Sequence, residues 1–92
     1  MKSTVAGLVT PHLLRILDLA NNAQNGAKVD WHVRDAVAKT MGELGNQANA
    51  QDLVAAYLEG LDNALAQVAK GRAEYTSVLQ AAADAARRLW RD

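Results

Sequence analysis

Apolar residues recur every three or four positions along almost the whole chain, the spacing that lines one face of an α-helix. Three short stretches interrupt the rhythm: NNAQNG at 21–26, LGNQA at 44–48 and AKGR at 69–72. No clear run alternates apolar and polar residues as a half-buried strand does, so the pattern predicts an all-α fold. With 92 residues the chain makes one domain, 1–92. The expected architecture is a small bundle of about four helices, over 11–24, 30–44, 50–70 and 77–90.

Each helix has its own start and stop signals. Thr10 followed by Pro11 reads as an N-cap with proline at the first helical position. Leu13, Leu14, Ile16, Leu17 and Ala20 then form an apolar stripe. Val5, Leu8 and Val9 continue it upstream, so a kinked helix beginning near Ser3 is the alternative start. Gly26 suits the left-handed conformation that ends a helix. Asp30 is expected to cap the second helix. Trp31, Ala38 and Met41 share its inward face with the Val33, Val37 and Leu44 row, and Gly45 ends it. The third helix starts after Asn49, with Asp52 near the positive end of its macrodipole. Leu53, Val54, Tyr57, Leu58, Leu61, Leu65 and Val68 are its stripe.

Gly71 poses a choice. Val54, Leu61, Val68, Tyr75, Ala82 and Leu89 are spaced by sevens, which fits one helix continuing through the glycine. A break between Gly71 and Thr76 is favoured instead. Lys70 before Gly71 is a common helix ending, and Ser77 with Gln80 reads as a capping box. An unbroken helix over 50–90 would be roughly 60 Å long, and the earlier helices are too short to cover it. The last helix carries an alanine face of Ala81, Ala82, Ala85 and Ala86.

Composition then limits function. Half of the residues are hydrophobic, but alanine is the commonest of them and aromatics make up 4%, with no Phe. An alanine methyl contributes about 0.8 kcal/mol on burial, a Leu or Val side chain roughly 1.5–3. The chain is therefore expected to pack closely or to complete itself against another chain, most simply as a homodimer. It has no cysteine, which excludes disulfides and thiolate chemistry. The apolar N-terminal stretch is broken by Pro11, His12, Arg15 and Asp18, too polar for a signal peptide or membrane span. The expectation is a soluble, cytoplasmic protein without membrane contact.

Catalytic and metal chemistry find no support. The histidines are His12 and His32, each in the first turn of an expected helix; His32 and Asp35, three apart, form the one pair of interest. Two histidines without spaced acidic ligands make a poor metal site. Ser77 is accounted for as a cap, and there is no glycine-rich phosphate loop after a strand. The reading is not an enzyme, with no catalytic, metal or cofactor-binding residues.

Residues 36–58, AVAKTMGELGNQANAQDLVAAYL, place two helices around a short turn, with Ala38 and Gly42 four apart. This stretch resembles the helix-turn-helix of phage-repressor-type proteins, and the resemblance implies a DNA-binding regulator. The chain departs from that pattern at Ala48 and Gln51, where the family has aliphatic residues. Its recognition-helix counterpart holds Asp52 and Glu59 and no basic residue before Lys70, whereas phosphate contacts by Lys and Arg dominate DNA affinity. Secreted helical hairpins of this length often carry Trp-x-Gly at the central turn; here it reads LGNQA.

Protein binding remains the leading function: a small adaptor, inhibitor or assembly protein, a class that includes phage- and plasmid-encoded inhibitors of larger machines. Net charge is zero, yet Glu43, Asp52, Glu59 and Asp62 make an acidic middle. Lys70, Arg72, Arg87, Arg88 and Arg91 make a basic end. Trp and Arg dominate interface hot spots, so Trp90, Arg87, Arg88 and Arg91 are the expected anchors, with Tyr75 and Tyr57 beside them. Asp52, Glu59 and Asp62 are expected to steer the partner. Trp31 is a further contact candidate; the competing expectation is that Trp31 and Trp90 close the ends of the core, favoured for Trp31.

Overall fold

The helices begin and end where backbone donors and acceptors find local partners. The computed structural model describes residues 5–90 and contains α1 (Val5–Gln24), α2 (Asp30–Gly45), α3 (Ala50–Ala66) and α4 (Ala73–Leu89). No strand occurs among the described residues. The four-helix, all-α architecture is the one the periodicity predicts; several boundaries differ.

Pro11 lies inside α1 rather than at its start. Proline lacks the N–H that would bond one turn back, which is why Thr10-Pro11 reads as a beginning. Here the Thr10 hydroxyl donates to the Ala6 carbonyl at 2.7 Å, a local bond inside the helix. The alternative start near Ser3 lies outside the described residues. At the other end Gly26 takes φ 100°. Its N–H bonds Ala23 O at 3.0 Å, and the Ala27 N–H reaches Asn22 O at 3.0 Å. These two bonds make the paired helix ending that glycine favours.

Asp30 is not the cap of α2. Val29 holds that position, with no side-chain cap bond, and Asp30 is the first helical residue. Asn49 likewise precedes α3 without a side-chain bond. The chain turns between α3 and α4, so the continuous helix through Gly71 is not formed. Gly71 adopts φ 89°, α3 stops at Ala66 instead of 70, and α4 starts at Ala73 instead of 77. Ser77 is therefore interior to α4 and caps nothing; Gln80 Nε2 donates forward to Asp84 Oδ1 at 3.1 Å. The cap comes from elsewhere: Gln24, the last residue of α1, accepts the Tyr75 N–H on its Oε1 at 3.2 Å.

These contacts set the arrangement. The end of α1 meets the start of α4, and His12 on α1 meets Thr40 and Glu43 near the end of α2, so α1 is antiparallel to both. Asp30 and Ser77 share one groove while Gly45 meets Trp90, so α2 and α4 run the same way. One core joins all four, its largest sealed side chains being Tyr57, Ile16, Leu53, Leu61 and Leu79. Ala20, Ala36, Ala82, Ala83 and Ala86 are buried among them. Small side chains let helix axes approach, and Gly60 shows how closely: a Cβ there would lie 2.5 Å from Leu13 Cδ1. The described residues span 39 × 24 × 21 Å, far shorter than the roughly 60 Å of an unbroken α3–α4 helix.

Several residues expected inside lie outside. Leu14 is 57% exposed, Ala38 and Ala81 are exposed, and Trp31 is 85% exposed. Residue 31 points about 120–160° away from Val33, Val37 and Leu44 at 100° per residue, so helical phase places it opposite the core.

Candidate interaction face

One polar cluster lies inside the bundle. His12 Nδ1 and Thr40 Oγ1 are 3.1 Å apart, and His12 Nε2 lies 3.4 Å from Glu43 Oε2. Tyr57 sits next to Thr40, but among the described residues its hydroxyl is within hydrogen-bond geometry of no partner. Burial pushes the Tyr57 phenol up to about 12, against the opposing influence of the Thr40 hydroxyl and the Arg15 charge. Thr40 and Tyr57 are both sealed from solvent. No substrate reaches either hydroxyl in this packing. The cluster joins α1 to α2 above α3.

The residues expected to contact a partner are dispersed. Tyr57 is core, and a sealed ring presents nothing to a partner. Asp62 and Arg87 bond each other at 2.7 Å, so the acidic middle and basic end meet within the chain. Asp52 and Glu59 are exposed on α3, which carries no basic residue among Ala50–Ala66. Tyr75 is half-buried under the Arg72 guanidinium, 4.1 Å from its ring centre. That stack fixes both side chains at the start of α4. Arg88 is exposed, and Trp90 is half-buried with its ring 3.8 Å from where a Cβ on Gly45 would sit. Arg91 lies outside the described residues.

What the structure does assemble is a face that includes two residues the sequence reading set inward, Trp31 and Ala38. Trp31, Asp35, Ala38, Gly42 and Gly45 follow one another at helical spacing along the outside of α2. All five are exposed. A Cβ on Gly42 would meet nothing within 4 Å. The face thus carries a bulky indole at one end, open backbone at Gly42, and Gly45 against the Trp90 ring at the other end. Lys39 flanks it, paired with Asp35 at 3.1 Å. Trp90 stands at its Gly45 end. The signal was present in the phase of α2; the size of the indole suggested burial instead.

Beside this face, Asp30, Arg34, Ser77, Asp84 and Arg88 line a groove of about 320 Å³ between α2 and α4. Its mixed charges have no single ligand complement. Among the described residues no group of three or more His, Asp or Glu is placed to hold a metal ion. Nor is any described helix long and apolar enough to cross a membrane. No protein-family model, curated protein or solved structure matches the chain.

Proposed function

We propose that this chain is a non-enzymatic protein-interaction module, an adaptor, inhibitor or assembly protein, that binds through the outer face of α2. The observation that carries the reading is Trp31, which leaves 85% of its surface in water on a rigid helix. A large aromatic exposed on a preformed element is the hot-spot type of residue, and docking it orders little. Trp90 lies against Gly45 at the far end of the same face. The DNA-binding alternative fares worse on charge, since α3, the counterpart of a recognition helix, exposes Asp52, Glu59 and Asp62 and has no Lys or Arg.

The test is affinity capture from native lysate with tagged wild type and Trp31→Ala, each with nuclease and across rising salt. Expected is protein retained by wild type, insensitive to nuclease, little weakened by salt and lost with Trp31→Ala. Retention that needs nucleic acid and falls steeply with salt contradicts the reading. So does a Trp31→Ala chain that captures as well as wild type.

A further inference from the structure

We infer that the occupant of the α2 face is a second copy of this chain, packed antiparallel about a two-fold axis beside Ala38. The inference rests on the interaction-module reading and names its partner. Trp31 and Gly45 each lie seven residues from Ala38, about 10 Å to either side at 1.5 Å per residue. A two-fold contact brings each patch onto itself in reverse. It therefore sets the indole of each copy over Gly45 of the other, beside the open backbone at Gly42. Trp90, already against Gly45, offers the incoming ring an aromatic neighbour.

Charge selects the same direction. Asp35 and Lys39 lie on one flank of the face, both 65% exposed. The two-fold keeps the flank and reverses the helix, so Asp35 of each copy faces Lys39 of the other, offset by about 3 Å along the axis; the two Lys39 share that offset, and the two attractive pairs outnumber the one repulsive pair. A parallel two-fold would put the two Asp35–Lys39 flanks on opposite sides, without that contact, and would oppose Trp31 to Trp31. A single helix face is at the small end of specific interfaces, so the dimer forms reversibly at roughly micromolar concentrations or above.

Sedimentation equilibrium on the purified chain over a wide concentration range tests the mass. The expected result is a monomer–dimer equilibrium whose Kd rises about 30-fold or more in Trp31→Ala, with the helical circular dichroism unchanged. Asp35→Lys should weaken the dimer, and Asp35→Lys combined with Lys39→Asp should restore it. The cysteine-free chain also allows a direct test of direction. Ala38→Cys should oxidise to a disulfide dimer, whereas Gly45→Cys should not, since its two copies would be about 20 Å apart. Single-chain mass at every concentration overturns the inference, as does equal cross-linking at both positions. If the mass stays single but capture still depends on Trp31, the interaction module stands and its occupant is another protein.

Discussion

Tyr57 is the residue whose chemistry is most constrained by the fold. Its ring fills the centre of the bundle while its hydroxyl goes unpaired. The folded chain holds the phenolic proton to about pH 12, the unfolded chain to about pH 10. Between those values the folded state binds more protons, so stability is intact below pH 10 and falls as pH rises through 12. The loss is on the order of 2 kcal/mol. Tyr57→Phe should abolish that alkaline slope and melt at or slightly above the wild-type temperature at pH 7, since no hydroxyl is left buried without a partner. Urea melts at pH 7 and through pH 9–11 check both. Its burial was legible, because Tyr57 falls on the stripe with Leu53, Val54 and Leu61. Phase was the better guide to it than the aromatic preference of interfaces. Gly60 carries an opposite lesson: its contact with Leu13 joins two helices, so no local pattern announces it. Gly60→Leu should cost about 1–3 kcal/mol through overpacking, and Leu13→Ala in the same chain should recover part of it.

At the scale of the helix, the sequence placed the end of α1 and the starts of α2 and α3, and set the end of α3 four residues late. Gly26 ends α1 as its residue type suggests, and Gly71 sits in the left-handed region that only glycine adopts cheaply. Gly71→Ala should cost about 1 kcal/mol in a thermal or urea melt; its Cβ would meet nothing within 4 Å, so the cost is backbone strain alone. The start of α4 was misplaced because Ser77 and Gln80 have the spacing of a capping box. The actual cap is Gln24, separated from Tyr75 by 51 positions, and no window along the chain connects them. Gln24→Ala should fray that first turn, with faster amide exchange at Tyr75 and a loss of about 1 kcal/mol. The Thr10-Pro11 start failed for a related reason, since one proline pattern serves both a helix beginning and an interior break.

For the whole molecule, alanine content suggested close packing or completion against another chain. Ala20, Ala36, Ala82, Ala83 and Ala86 are buried inside one contiguous core. The case for association thus comes from what the fold leaves outside, Trp31 above all. Replacing this side chain should change folding stability by less than about 0.5 kcal/mol while removing binding, the mark of an exposed contact residue. The sequence reading placed the anchor at the C-terminal Trp and Arg cluster because composition favoured it; the proposal made from the exposure of Trp31 puts it at the head of α2 instead. The most direct check is the fluorescence of Trp31 alone, in Trp90→Phe, followed by acrylamide quenching as the protein is concentrated. The indole should be fully quenchable and emit as in water when dilute, then shift to the blue and become protected as the face is covered. An indole that stays equally quenchable at every concentration, and in the presence of any protein the chain captures, would contradict the account.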